Sequence, residues 1–467
     1  MARVSEWSNT GDQAAARLAA WCAEVPRGWS AASLEGARRA IVDTIAVMLA
    51  GQDEACTTNT RHAVRGWGDG PCHVMGGRPQ AAPWAALVNG TAAHALDYDD
   101  VLDPAMSHPS AALVPAVLAL AEAENASGAE ALDAFLVGFE VLARLGEAMN
   151  LVHYQRGWHT TLSLGSMGVA AACARMLRLD AGRMAMAISL ATSMAGGSKR
   201  QFGTMAKPLH AGLAAKNGLV AAQLAASGVT AVDDPFEGRW GYIELMAGDT
   251  APGLARAVQR IGDPPAMEQY GAWAKAYPCC ASTHRPVDAL RSLGLRPDAV
   301  TRIEAAVSEV AAANLRYRIP HTPNEARFSL PYCLAATLAD GTLTVSSFTP
   351  EAIARPTLRP IMERVTMTVD PELTADRPVT ESFERGTLDV TLADGTRKRV
   401  AVLTPRGHPD APLSEADLEA KFRDCASPAL TPAAVDAALE RLSHFGRLER
   451  VSELTSTLSN LAIAGPA

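Results

Sequence analysis

Apolar residues recur at three- and four-residue spacing through residues 12–228, which is the period of an amphipathic helix. Segments such as AEALDAFLVGFEVLARLGEAM and HAGLAAKNGLVAAQLAASG show it, and Gly, Pro or Asx residues separate them. Glycines also lie inside these segments: Gly165, Gly168, Gly212 and Gly218. Because a glycine weakens an isolated helix by roughly 1 kcal/mol, we predict that these helices pack closely enough to compensate.

The period changes after the double proline of IGDPPAMEQYG, residues 261–271. In RVTMTVD, apolar and polar residues alternate as in a strand. In TLDVTLADGTRKRVAVLT, two alternating runs flank Asp394-Gly395, which is a strong hairpin signal. Helical stretches, EARFSLPYCLAATLADG and TPEAIARPTLRPIMERV, accompany these strands, so this part of the chain is predicted to be α+β.

Helical patterns return after TPRGHPDAP, in SEADLEAKFRDCA and TPAAVDAALERLSHF. Ser414 and Asp417 have the spacing of a capping box. These helices are too short for a core of their own, so we expect them to pack on the N-terminal helices. The predicted fold is mainly α, with a large all-helical domain formed by residues 1–264 and 404–467 and a smaller α+β domain of residues 265–403.

Composition agrees with helices packed through small side chains, because hydrophobic residues make up 48% of the 467 residues and aromatic residues only 5%. The net charge is -8 and no Lys/Arg block is present, which argues against nucleic-acid binding. The N-terminus lacks the apolar core of a secretory signal, and no stretch reaches the ~18 apolar residues of a membrane span. The eight cysteines include no Cys-x-x-Cys pair. We expect a soluble, cytoplasmic protein.

Basic residues stand at three predicted helix starts. His108 and Lys207 each precede a proline and an apolar helix, and His159 precedes TTLSLGSMGVAAACARML. The helix dipole disfavours a cation there by roughly 0.3 to 1 kcal/mol, unless an anion binds in front of it. His210 shares a helix face with Lys207. Each residue alone is more often a capping or solvated group; together they predict a cleft for a small carboxylate, with acid/base groups.

The acidic stretch HALDYDDVLDPAMSH has the residue types of a metal site, in Asp97, Asp99 and Asp100 with His94 and His108. It matches neither an EF-hand loop nor the His-Glu-x-x-His pattern. We therefore predict no metal, and expect one aspartate to orient or charge a nearby base.

Five sequence blocks, in order over residues 91–341, carry a resemblance to a known family: LDYDD...HPSAALVPAVLALAE, GWHTTLSLGSMGVAAA, KPLHAGLAAKNGLVAAQLA, YPCCASTHRPVDAL and EARFSLPYCLAATLADG. They resemble the MmgE/PrpD family, which includes 2-methylcitrate dehydratase, cis-aconitate decarboxylase and iminodisuccinate epimerase. The resemblance implies an all-helical domain, a smaller α+β lid domain, an active site between them, a homodimer, and chemistry without a metal or organic cofactor.

The resemblance also implies the site residues, which are Asp97, His108, His159, Lys207, Lys275 and Tyr332. We assign His159 and Lys207 as the leading acid/base groups and Tyr332 as a second proton carrier. The expected substrate-binding residues are Asp97, which also tunes His108, and His108, His210, Lys275 and Cys280. Cys280 stands where some decarboxylases of the family have a histidine.

All three reactions make or quench a carbanion-like centre beside a carboxylate of a small di- or tricarboxylate. The FHAQT-like segment of 2-methylcitrate dehydratase is absent, so we favour epimerisation of an iminodisuccinate-like amino-dicarboxylate. A lyase of the same family, acting on methylcitrate-like or cis-aconitate-like substrates, is the alternative. A non-catalytic helical dimer that binds a metabolite is the alternative of another class.

Overall fold

The computed structural model describes residues 11–370, 373, 386–402 and 404–459, and its fold is mainly α with one small sheet, as predicted. The first helices of the chain are α1 (Gly11–Glu24), α2 (Ala31–Gly51), α3 (Ala55–Val64), α4 (Ala82–His94), α5 (Pro109–Glu124), α6 (Gly128–Met149), α7 (Val152–Gln155), α8 (Thr160–Ser163), α9 (Gly165–Met176), α10 (Ala181–Thr192), α11 (Ala206–Ala226), α12 (Tyr242–Met246), α13 (Leu254–Ala257) and α14 (Ala266–Gln269).

The remaining elements include the strands. They are α15 (His284–Ser292), β1 (Val300–Val307), α16 (Glu309–Asn314), α17 (Pro323–Ala326), α18 (Leu330–Asp340), α19 (Pro350–Ile353), α20 (Arg359–Glu363), β2 (Val365–Val369), β3 (Gly386–Leu392), β4 (Arg397–Val402), α21 (Glu415–Ala426), α22 (Pro432–Ser443) and α23 (Ser452–Thr455).

Two hydrophobic cores organise the chain. The first contains side chains from residues 14–267 together with residues 418–458, so the C-terminal helices pack on the N-terminal ones. The second draws on residues 277–390 and on Phe202, and it lies under the sheet. The predicted domain boundaries at 265 and 403 stay a prediction, because two cores do not by themselves define where one folding unit ends.

Glycines allow the helices of the first core to touch backbone to backbone. A Cβ on Gly212 of α11 would lie 2.2 Å from the carbonyl oxygen of Leu87 in α4. A Cβ on Gly218 would lie 2.5 Å from the carbonyl oxygen of Ser166 in α9. At Gly165 the same added atom would meet its neighbours at 3.5 Å, which is ordinary van der Waals contact. The predicted close contact therefore holds for Gly212 and Gly218 but not for Gly165.

The sheet has the strand order β2-β1-β3-β4. Strands β3 and β4 form the predicted antiparallel hairpin, and β1 pairs antiparallel with β3 and parallel with β2. Ile303 in the middle of β1 is the partner of both Val365 and Val390. One face of β1 is buried in the second core, as the alternating pattern requires.

Helix α21 begins with the capping box predicted at Ser414 and Asp417. Its N-terminal turn is thereby fixed beside α2, against which it packs. Among the described residues, no helix combines the length and the apolar character that crossing a membrane requires.

Gly212→Ala is expected to destabilise the fold by about 1 to 3 kcal/mol, because α4 and α11 must separate to admit the methyl group. Gly165→Ala is the matched control, since its methyl group fits and alanine favours the helix. Denaturant unfolding of both variants measures the difference. Equal stability losses in the two would contradict the close packing of α4 on α11.

Candidate active site

A cavity lies where the two hydrophobic cores meet. Side chains from the helical part line one wall and side chains from the α+β part line the other. The polar residues in this lining are Asp97, Asp103, His108, Tyr154, His159, Lys207, Cys280, Ser282, Arg285 and Asn314.

The three basic residues singled out at helix starts all line this cavity. His108 is the N-cap of α5, and Lys207 lies in the first turn of α11, which begins at Ala206. His159 precedes α8, which is only one turn long, and α9 starts separately at Gly165. The helix-dipole argument therefore does not apply to His159. Its ring is instead buried between His210 of α11 and Phe202 of the second core.

A buried carboxylate, that of Asp97, binds two lysines. Lys275 Nζ donates to Asp97 Oδ1 at 2.6 Å and to the Asp97 carbonyl oxygen at 2.9 Å. Lys207 Nζ lies 3.2 Å from the same Oδ1 atom. Burial raises the pKa of Asp97, but the two ammonium groups outweigh it and hold this pKa well below its usual range. The Asp97 backbone has φ of 50°, a left-handed conformation that these contacts stabilise.

A second chain of contacts links Asp99, His94 and Lys207. His94 Nδ1 lies 2.8 Å from Asp99 Oδ2, and Lys207 Nζ lies 2.8 Å from His94 Nε2. Since the carboxylate accepts the proton on Nδ1, Nε2 of the neutral ring accepts from the ammonium group. Burial lowers the pKa of both His94 and Lys207. The sequence indicated His94 only as a candidate metal ligand. The feature that could have indicated this contact is that His94 and Asp99 lie close together in the same acidic stretch.

His108 is held as a neutral imidazole facing the cavity. Its Nδ1 atom lies 2.9 Å from the carbonyl oxygen of Asp100 and so carries the proton. Its Nε2 atom lies 3.8 Å from Asp97 Oδ1. Burial lowers the pKa of His108 well below its usual value. Burial also raises the pKa of Asp100 to about 8, so this neighbour adds little negative charge at neutral pH.

His159 and His210 form a pair, with their Nδ1 atoms 2.9 Å apart. One ring must donate and the other accept, so the pair shares a proton across this contact. Burial lowers the pKa of both, that of His210 to about 4. His159 Nε2 is buried and has no hydrogen-bond partner among the described residues. His210 therefore contacts His159 and lies outside the cavity lining, whereas it was predicted to bind the substrate.

Two further predicted site residues lie away from the cavity lining. Tyr332 is buried in the second core, and its hydroxyl group donates to the carbonyl oxygen of Ser347. The structure therefore does not place it as a second proton carrier. Lys275 lies behind Asp97, where its ammonium group is bound by that residue rather than exposed to a substrate carboxylate. Cys280 does line the cavity.

The α+β part adds polar groups that sequence reasoning missed. Tyr154 Oη donates to Asn314 Oδ1 at 3.2 Å, and Asn314 Nδ2 lies 3.4 Å from Ser282 Oγ. Arg285 lines the same wall and brings a permanent cation. Arg285 lies in the block YPCCASTHRPVDAL, but nothing in its spacing distinguishes it from a surface arginine.

The residue types alone would also fit a metal ion. Ligand atoms of His94, Asp97, Asp99 and His108 lie within 4.8 Å of one another. However, ammonium groups already contact His94 Nε2 and Asp97 Oδ1 at 3.2 Å or less. A divalent cation at these atoms would face strong repulsion, so the arrangement suits proton transfer better than metal binding.

The charges of the cluster are closely balanced. The carboxylates of Asp97 and Asp99 balance the ammonium groups of Lys207 and Lys275, and the histidines are neutral. Arg285 and Asp103 add one charge of each sign to the cavity lining. The arrangement can bind a carboxylate and can exchange a proton through an imidazole at the same place.

Comparisons with known proteins match most of the chain. Models described as the MmgE/PrpD N-terminal domain and the MmgE/PrpD C-terminal domain match residues 16–255 and 277–444. A cis-aconitate decarboxylase of Mus musculus is 30% identical over 451 residues, covering 92% of this chain and 90% of the relative. That of Homo sapiens is 33% identical over 389 residues, covering 80% and 79%. That of Aspergillus terreus is 25% identical over 417 residues, covering 84% of each chain.

The neutral His210 predicts acid sensitivity. Its folded pKa of about 4 lies below the ordinary value of 6.5, so the stability it contributes is present above pH 6.5 and is lost as the pH falls toward 4. In His210→Asn, the melting temperature should therefore fall less steeply between pH 7 and pH 5 than in the wild type. Replacing the exposed His321 by Asn serves as the control and should leave the slope unchanged. A slope in His210→Asn as steep as in the wild type would contradict a neutral pair.

Proposed function

We propose that this chain, which belongs to the MmgE/PrpD family, is a lyase that decarboxylates an unsaturated tricarboxylate of the cis-aconitate type without a cofactor. Relatives named cis-aconitate decarboxylase span nearly its whole length, which supports this reaction over the epimerisation favoured by the sequence. The observation that carries the proposal is the buried Nε2 atom of His159, free of partners among the described residues, beside a cavity whose lining includes the cationic side chains of Lys207 and Arg285.

Substrate binding in this proposal uses the charges of both walls. Lys207 and Arg285 attract two carboxylates, and Asn314 with Ser282 supplies neutral hydrogen bonds to a third. Because Lys207 is buried, its ion contact with a substrate carboxylate is stronger than one at a surface. The Asp97 carboxylate repels a misplaced substrate carboxylate and so restricts the orientation.

Decarboxylation breaks the bond between a carboxylate and its carbon, and carbon dioxide leaves. The electron pair stays on the substrate, delocalised through the neighbouring double bond and carboxylate, where Lys207 stabilises the negative charge. Once the His159–His210 pair has taken up one proton, His210 donates to His159 at Nδ1 and His159 carries a proton at Nε2. Transfer of this Nε2 proton to carbon, with the Nδ1 proton moving onto His159, returns both rings to their neutral forms. One proton is consumed per turnover, and the His159–His210 pair regains it from water.

The predicted homodimer follows from the family resemblance alone and remains part of the proposal. A dehydratase would use the same acid at a leaving hydroxide, and a non-catalytic binder would use the same cations without needing His159.

Reaction in deuterated water separates these functions. With cis-aconitate, the proposal predicts release of carbon dioxide together with one deuterium on the product carbon, detected by mass spectrometry and proton NMR. Deuterium exchange into an amino-dicarboxylate without carbon dioxide would favour epimerisation. Binding of polycarboxylates with neither product would favour the non-catalytic alternative.

Removing the acid should slow the reaction more than it weakens binding. We expect His159→Gln and Lys207→Met to lower kcat by about 10² to 10⁴-fold, the usual contribution of a general acid or a charge stabiliser. Lys216→Met, in the same helix α11 but away from the cavity lining, is the matched control and should keep wild-type kcat. Wild-type turnover in His159→Gln would contradict the assigned proton donor.

A further inference from the structure

One buried ammonium group lies outside the cavity and has no part in the proposed mechanism. Lys421 belongs to α21, far along the chain from the other site residues, and its side chain is 4% exposed. Its Nζ atom donates to the carbonyl oxygens of Tyr98 and Lys275, each at 2.9 Å. It also lies 2.7 Å from Asp43 Oδ1 in α2 and 3.7 Å from the centre of the Tyr98 ring.

These contacts match the chemistry of an ammonium group that must leave water. It has three N–H donors, and three oxygen atoms lie within 2.9 Å of it. The Asp43 carboxylate balances its charge, and burial raises the pKa of Asp43. Losing Lys421 would leave two carbonyl groups and one carboxylate without their partner.

The two carbonyl groups belong to the backbone that carries the catalytic cluster. Tyr98 directly follows Asp97, and the other carbonyl is that of Lys275, whose side chain binds Asp97. Two successive carbonyl groups, of Asp97 and Tyr98, are therefore each bound by a lysine. Asp97 has a left-handed backbone, a conformation that costs free energy and depends on its surroundings.

We propose that Lys421 is a positioning residue: it fixes the Asp97–Tyr98 and Lys275 backbone segments, so that the Asp97 carboxylate holds Lys207 where a substrate carboxylate binds. The inference rests on the proposed function for its kinetic consequence. It assigns a role at the active site to helix α21, which packs on α2 and contacts the backbone of the catalytic cluster through Lys421.

The test replaces the ion pair as a unit, because Lys421→Met alone would leave Asp43 buried without its partner. In Lys421→Met/Asp43→Asn no charge is unbalanced, but both carbonyl contacts are lost. We expect kcat to fall by about 10²-fold, the effect of a displacement near 1 Å at a reacting group. We also expect the pH dependence of kcat/KM to shift, since Asp97 and Lys207 would change their separation.

A second buried ion pair provides the matched control. Arg175 Nε binds Asp133 Oδ2 at 2.7 Å, and its other nitrogens donate to the carbonyl oxygens of Ala23 and Val25. This pair also binds backbone carbonyl groups, those of Ala23 and Val25, but it lies in a part of the first core outside the cavity lining. Arg175→Met/Asp133→Asn should lower the melting temperature and leave kcat and the pH profile of the remaining folded enzyme unchanged.

Equal losses of kcat in the two double variants, or wild-type kcat in Lys421→Met/Asp43→Asn, would overturn the proposal. If that variant does not fold, Lys421→Gln/Asp43→Asn keeps an amide NH₂ group that can donate to the carbonyl groups. The same measurements then decide, with a smaller expected loss of kcat. If the wild type turns over no polycarboxylate, the proposed function fails separately. Positioning is then read from the ring NMR signals of His94 and His108, which must shift in the Lys421 variant and not in the control.

Discussion

The site depends on one constraint: a carboxylate that is buried away from solvent must be balanced by cations. Asp97 meets it with two lysines that come from different parts of the chain, Lys207 from α11 and Lys275 from the segment before α15. A single buried anion thus joins the helical part to the α+β part. Removing any one of the three charges would leave the others unbalanced at a cost of several kcal/mol.

The same constraint explains why the histidines are neutral. Burial opposes a proton on each ring, and the nearby ammonium groups oppose it further. A neutral imidazole can both accept and donate, and hydrogen bonds at Nδ1 decide which it does. In His108 the Asp100 carbonyl group fixes the tautomer, whereas in His159 the partner is another imidazole and the tautomer can change. In the proposed function, this difference separates the binding residue His108 from the proton carrier His159.

Sequence patterns predicted the local elements well, because helical period, hairpin turn and capping box each depend on neighbouring residues. The positions of His108, His159 and Lys207 on one cavity agreed with the hypothesis of a shared cleft. The partners of His210, Lys275 and Tyr332 could not be predicted in the same way. Hydrogen bonds to residues far along the chain decide them, and one sequence does not show which side of a helix faces which neighbour. Arg285 was missed for the same reason.

The two walls of the cavity belong to different hydrophobic cores. His108, His159 and Lys207 come from the helical part of the chain, whereas Cys280, Ser282, Arg285 and Asn314 come from the α+β part. Mutations in the α+β wall can thus reshape the cavity while the acid/base side chains of the other wall keep their packing. Such modularity offers one scaffold a route to several substrates, and it makes the α+β wall the rational starting point for redesigning selectivity.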